Sequence, residues 1–498
     1  MGKKYLLILF CFVLAMAGCR KDSHSPDKEY PEKPANSFLS VANVLQSNMV
    51  IQRDKPFLVW GQATPGLKVN IVASWNIAAL TAVADNTGNW QLSIPATAAN
   101  STAQTIACTA QNAPDITFKN ILIGDVWLCS GQSNMTMQVD AIAPFTGVLN
   151  YQDEISAADF PNIRALTVFT DYKDKPASEF SSPGNWTACS PQTAGKLSAV
   201  AYFFARKIHT ALNIPIGIII ASENGSWCET WANSEVLTTT LSSYSVVNNA
   251  TKLFNGMISP LCKLQLKGFL WYQGENNQHI NPVGDYTLLN AALIKGWRDK
   301  FNQGNLPFYY VQLTPFAEDY NNTTPPGGDL TQNWLAFFRE AQADILPAVA
   351  NTGMAVTMDV GEAANHHPRN KKPVGERLAL LALKNTYSQN VICNGPKYNY
   401  FTLSGNTATI NFAAGTADGL TTINNQPLNQ YFFVSGPDHI FRKGTAQING
   451  NTITVIAPDE TPLPIQAIRY AFTNTPVTNI QNAAGLPIEP FRTDNWDF

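Results

Sequence analysis

Four short stretches of the chain carry side chains that could do chemistry together. The first is GDVWLCSGQSNM at 124–135, where the apolar run Val126, Trp127, Leu128, Cys129 breaks at Gly131 and presents Ser133. A serine at a strand-to-helix corner stands clear of the packed sheet, beside backbone N–H groups that lack internal acceptors. Such a corner suits a nucleophile whose product is an oxyanion, although Ser and Asn also serve there as plain helix caps. A hydroxyl nucleophile needs one imidazole within hydrogen-bond reach to take its proton. Of the 6 histidines, only His366 and His367 come as a pair near a strand end, and His367 is the candidate base. Read as metal ligands, the pair would draw on Asp359 or Glu362, but adjacent residues of an extended stretch point opposite ways.

The third and fourth stretches would supply oxyanion donors. Gly225 in SENGSW offers a backbone N–H that can approach a bound carbonyl because no Cβ intervenes. Asn277 and Gln273 in QGENN offer side-chain amides. The plainer reading of the same residues is turn chemistry, which Asn and Gly also serve. Glu229 and Glu275 are the carboxylates of these stretches. They anchor loops or bind substrate hydroxyls; a glycosidase would instead need them to flank one bond.

The elements that must position these groups follow from periodicity. Residues 38–120 contain strand-like runs (57–61, 68–75, 89–95) separated by Pro, Gly and Asn-Thr-Gly turns, which predicts a small β-sandwich module. From 121 to 393 apolar strands (215–222, 267–274, 307–313, 354–361) alternate with helical patterns (197–212, 287–301, 335–346, 372–387). That alternation predicts an α/β domain, a parallel sheet with helices on both faces in three layers. Ligands of such sheets bind outside the carboxyl ends of the strands, where all four stretches fall. Residues 394–498 return to β character and read as a segment completing or packing on the α/β domain.

At 498 residues the chain is too long for one core. A net charge of −3 with 14% charged residues argues against a nucleic-acid partner. Lys3 and Lys4, the apolar run from Tyr5 to Met16, then Ala17, Gly18 and Cys19 read as a secretory signal over 1–19, too short to span a bilayer. Cys19 after Ala-Gly resembles the lipobox cysteine of bacterial lipoproteins. Residues 20–37 would then tether an extracytoplasmic protein to a membrane by its lipid alone; an ordinary cleaved signal is the alternative. The later cysteines form no CxxC pair, so a zinc site is not indicated, and any disulfide pairing is not readable from spacing.

With these residues in hand, the chain resembles the sialate O-acetylesterase family of SGNH-type hydrolases. GDVWLCSGQSNM is similar to that family's nucleophile block, PIGIIIASENGSWCETW (215–231) to its glycine block, KGFLWYQGENN (267–277) to its third block and HPRNKKPVGERLA (367–379) to its histidine block. SNMVIQRDKPFLVWGQATPG (47–66) resembles its N-terminal β module. The resemblance implies Ser133 as nucleophile, His367 as base, Gly225 and Asn277 as oxyanion donors with Gln273 and Glu275 in the same block, and Glu229 and Trp231 in register. It implies no cofactor and no metal. Asn224, Cys228 and Asn276 depart from the family pattern. So does Ala364, where many such enzymes carry an aspartate three residues before the histidine. Either Asp359 or Glu362 orients His367 instead, or the site is a dyad. The expected activity is removal of O-acetyl groups from sialic acids. Acetylated xylan, pectin or mucin is the alternative substrate, and an inactive glycan-binding surface lipoprotein the alternative of another class.

Overall fold

The apolar run around Trp127 is part of one long strand, Ile116–Gly131 (β1), and the sheet is built around it. The computed structural model describes residues 37–496 apart from 248, 318–329 and 332; the signal segment, Cys19 and nearly all of the tether lie outside the described residues. Five further strands run parallel to β1: Phe160–Thr167 (β2), Ile216–Ser222 (β3), Gly268–Tyr272 (β4), Phe308–Val311 (β5) and Thr352–Ala355 (β6). Their order is β2-β3-β1-β4-β5-β6, with Thr187–Cys189 antiparallel outside β2. Strands such as Ile216–Ala221 and Gly268–Tyr272 are buried along their length, as both-sided cover requires. The chain leaves β1 toward β2 and β3 on one side, then toward β4 to β6 on the other. The carboxyl end of β1 is therefore a topological switch point, where doubly wound sheets bind their ligands.

Helix signals in the sequence are realised locally. Ser198 accepts a hydrogen bond from the Ala201 N–H and starts helix Ala199–Leu212, which ends at left-handed Asn213 two residues before Pro215. Helix Lys371–Asn385 carries Pro373 in its first turn, where no intrahelical donor is lost. It packs tightly on the former helix; a Cβ on Gly375 would lie 2.6 Å from the Val200 carbonyl. It is buried on more than one face and takes Lys371 and Arg377 inside with it.

Two boundaries differ from expectation. The expected division at 120/121 falls inside β1, which pairs with Asn100–Ala110 of the N-terminal module at one end and with β3 and β4 at the other. A single apolar core accordingly runs from Leu39 to Leu383. The strand expected over 354–361 stops at Ala355. Beyond it Thr357 Oγ donates to the Gln312 carbonyl, Met358 packs into the core of the C-terminal segment and Asp359 turns to Arg377. That segment forms separate antiparallel sheets and adds no strand to the parallel one, so it packs on the α/β unit rather than completing it. Thr478 Oγ to the Met358 carbonyl (3.1 Å) and Arg492 to Glu340 (2.8 Å) fasten the two. The described cysteines are all free thiols.

Candidate active site

Gly131 makes the corner possible. It stands level with Ser222 of β3 and Tyr272 of β4, at φ 138°, and a Cβ there would lie 2.0 Å from the Tyr272 carbonyl oxygen. Only glycine meets both demands. Gln132 N–H donates to the Tyr272 carbonyl (3.0 Å) and Glu223 N–H to the Gly131 carbonyl (3.1 Å), so the corner is tied to both neighbouring strand ends. One helical turn follows, Ser133–Thr136, in which the first internal donors are Met135 and Thr136, both to the Gln132 carbonyl. Among the described residues the N–H groups of Ser133 and Asn134 are thus the unclaimed donors of a helix start.

His367 meets this corner from the loop between β6 and helix Lys371–Asn385. Its Nε2 lies 2.7 Å from Ser133 Oγ. The imidazole ring is held by its backbone and by neighbouring rings. Asn365 accepts from the His367 N–H (2.9 Å) and donates to the His367 carbonyl (2.9 Å), while the Phe145 ring meets the imidazole edge-on at 5.1 Å and His366 lies 3.8 Å away. Burial, then the neighbouring His366 and Lys371, push the His367 pKa down to about 3. The ring is therefore neutral across the ordinary range, and Nε2 can accept the serine proton. A depressed pKa keeps the basic form populated as pH falls, so kcat/KM is expected to show no His367 limb between pH 8 and 5. An acid limb centred near 6.5 in a pH–rate profile, which moves when His367 is replaced, would contradict this.

Neither expected acid reaches the imidazole. Asp359 gives both oxygens to Arg377 (2.7 and 2.6 Å), because the chain peels off the sheet there and a buried guanidinium awaits it. Glu362 accepts from Asn365 Nδ2 (2.9 Å) and from the Arg369 N–H (2.6 Å). It supports the residue that clamps the His367 backbone, one step removed from the ring.

Ser133 and His367 open into a cleft of about 270 Å³ whose other walls include Gly225, Glu275, Asn276 and Phe145. Gly225, at φ 66°, is held by its carbonyl, which accepts from Asn276 Nδ2. Of the expected oxyanion amides, Asn277 and Gln273 sit behind this wall and not on it. Asn277 Oδ1 accepts from the Cys228 N–H (2.9 Å) and from Gln273 Nε2 (2.7 Å), and its Nδ2 donates to Glu229 (3.1 Å). Gln273 is wholly buried, with its amide further tied to Gln132 Oε1 (3.1 Å) and its carbonyl oxygen Oε1 accepting from Tyr286. Both are scaffold, and the half-buried side chain that reaches the cleft from this block is Asn276. Glu229, whose pKa burial raises, and Trp231, bonded through Nε1 to Ser226 Oγ (2.9 Å), are loop anchors too. With Glu229 behind the wall and Glu275 on it, the two carboxylates do not flank one bond. Among the described residues no group of three His, Cys, Asp or Glu side chains converges as metal ligands.

Periodicity and motif spacing passed over Gln132, Asn134, Asn365 and Lys371. Gln132 Oε1 accepts the Gly274 N–H (3.1 Å) and so fixes the third block against the first. Its signal was present inside the nucleophile motif. The burial of Lys371 left none, since a lysine at a helix start ordinarily faces water.

Residues 123–384 match the family model described as carbohydrate esterase, sialic acid-specific acetylesterase. The chain is 27% identical to the human sialate O-acetylesterase over 93% of this chain and 94% of that one. It is 28% identical to the Pongo abelii sialate O-acetylesterase, over 74% and 75%. Its fold matches that of a carbohydrate acetylesterase from Xanthomonas citri with a TM-score of 0.81 and 30% identity, over 92% of this chain and all of the other. The family match covers more than half of the chain and all four stretches of the site; the chain belongs to the sialic acid-specific acetylesterase family of carbohydrate esterases and is a carboxylic-ester hydrolase.

Proposed function

We propose that the protein removes O-acetyl groups from sialic acids through an acetyl-enzyme on Ser133. The observation that carries the mechanism is the 2.7 Å approach of His367 Nε2 to Ser133 Oγ at the mouth of a cleft. In this reading Ser133 Oγ attacks the acetyl carbonyl carbon as His367 takes its proton. The backbone N–H groups of Ser133 and Gly225 face the developing oxyanion. The intermediate collapses and His367 returns the proton to the departing sugar oxygen; water, deprotonated by the same ring, then attacks the acetyl-enzyme, and the ring passes that proton to Ser133 Oγ as acetic acid leaves and ionises to acetate. The sialate substrate rests on the curated relatives, which carry that name. The parallel core with its switch-point serine supports an SGNH-type domain, and the Lys-apolar-Ala-Gly-Cys leader supports a lipid anchor at Cys19 on the outer side of a bacterial membrane.

Acetate release from O-acetylated sialic acid, acetylated xylan, acetylated pectin and mucin, compared at equal enzyme, tests the substrate. Turnover of the sialic acid at the highest kcat/KM is expected. A preference for xylan or pectin would overturn the sialate assignment and leave the esterase standing. Silence on every ester, with glycan binding intact, would favour the inactive lectin-like reading. Cys19→Ser is expected to move the activity from the membrane fraction to the soluble one.

A further inference from the structure

Among the described residues no carboxylate is hydrogen-bonded to the ring of the imidazole assigned the proton transfer, yet its loop is pinned by a buried polar unit. Asn134, next to the nucleophile and wholly buried, donates through Nδ2 to the His366 carbonyl (2.8 Å) and to Glu275 Oε1. Its Oδ1 accepts from Lys371 Nζ (2.5 Å). Lys371, also wholly buried, gives a second hydrogen bond to the Pro368 carbonyl (2.7 Å) and lies 5.6 Å from the Tyr272 ring centre. The carbonyls on either side of His367 are therefore both held by a unit rooted in the nucleophile's own helical turn.

We propose that Lys371 and Asn134 are positioning residues for His367, fixing the Ser133–His367 approach through the histidine's backbone in the place where an orienting carboxylate would act on its ring. The proposal rests on the reading of His367 as the base. A buried lysine is a costly way to fill space: an apolar side chain of similar length would pack there without desolvating an ammonium. What the ammonium adds is direction. Two of its N–H donors are spent on one side-chain and one backbone oxygen that a leucine or methionine would leave orphaned. Burial pushes the Lys371 pKa down to about 7 while Glu275, 7% exposed, and Glu362 pull it back up, and the amine keeps both of these donors whether or not it carries the third proton. Glu275 also uses up the Asn134 N–H that would otherwise be free to turn, so each hydrogen of that amide has one fixed acceptor. The nucleophile and the base loop thereby share one support, and a shift in either is felt as a change in their separation.

A misplacement on the order of 1 Å in such a pair costs roughly 100-fold in rate. Lys371→Met is accordingly expected to lower kcat on p-nitrophenyl acetate about 100-fold with KM changed less than about 3-fold. The discriminating measurement is the same substitution in a His367→Ala background, where it should add less than about 2-fold because the residue it positions is gone. A structural role would lower the active fraction equally in both backgrounds. An equal factor in both, or a single variant within about 3-fold of wild type, overturns the proposal. If Lys371→Met fails to fold by circular dichroism and gel filtration, Asn134→Ser taken through the same cycle decides it by the same criteria. A His367→Ala enzyme with wild-type kcat would instead sink the base assignment itself, and this role for Lys371 with it.

Discussion

Ser133→Ala is expected to lower kcat/KM by roughly 1,000- to 1,000,000-fold, His367→Ala by a comparable factor, and the double variant by no more than the worse single. The expectation follows from the geometry at the corner. The hydroxyl is an ordinary alcohol until a base takes its proton, and the imidazole at 2.7 Å is the group placed to do so. Without Oγ the imidazole has nothing to activate except water, and without the imidazole the hydroxyl keeps its proton. Either loss leaves the helix-start N–H groups and the cleft intact, which sets a floor of residual turnover that the second loss does not lower further. The test is initial-rate kinetics on O-acetylated sialic acid and p-nitrophenyl acetate for the two singles and the double. Singles within about tenfold of wild type, or a double slower by the product of the two factors, would show that the residues do not act as one unit.

How much of this was legible in the residues themselves can be argued element by element. The parallel core was readable because its strands are continuous apolar runs that end in glycine-containing turns, and helix Ala199–Leu212 because it carries its own cap and stop. Ser133 and His367 were readable for a related reason: corners and strand ends are where a backbone can hold a polar side chain out of a packed sheet. The cleft wall that carries Gly225 and Asn276 was only half readable. Asn276 and Asn277 are adjacent and of one type, and which of them faces the cleft depends on Glu229 drawing Asn277 inward across 48 positions of sequence, a tertiary fact with no local signature. The same holds for the pinning of the histidine loop, since Asn134 and Lys371 stand 237 residues apart. The expected division at 120/121 followed the change from strand-only to strand-and-helix patterning, while one strand runs through that point with Asn120 at φ 56°.

The acid that the sequence leaves unassigned gives the second large expectation, and it concerns stability rather than rate. Arg377→Met should destabilise the protein by about 3–5 kcal/mol while leaving kcat of the folded enzyme within about 3-fold of wild type. Arg377 and Asp359 are a bidentate pair with side chains only 8% and 11% exposed, and the guanidinium also donates to the Val356 carbonyl (2.8 Å). Removing the cation leaves a carboxylate desolvated without its partner, and that uncompensated charge, more than the lost pair, dominates the cost. Asp359→Asn should follow in the same direction, since the guanidinium is then the orphan. Were Asp359 the orienting acid, its amide variant would lose on the order of 10,000-fold in kcat through the wrong imidazole tautomer, with little change in melting. Thermal midpoints set beside kcat measured well below them separate the two cases. A lowered midpoint with intact kcat assigns Asp359 to the strut between the β6 loop and helix Lys371–Asn385; a collapsed kcat with an unchanged midpoint would return it to His367. The geometry favours the strut, because both carboxylate oxygens are already taken and the loop that carries His367 is held from its other side by Asn365, Asn134 and Lys371.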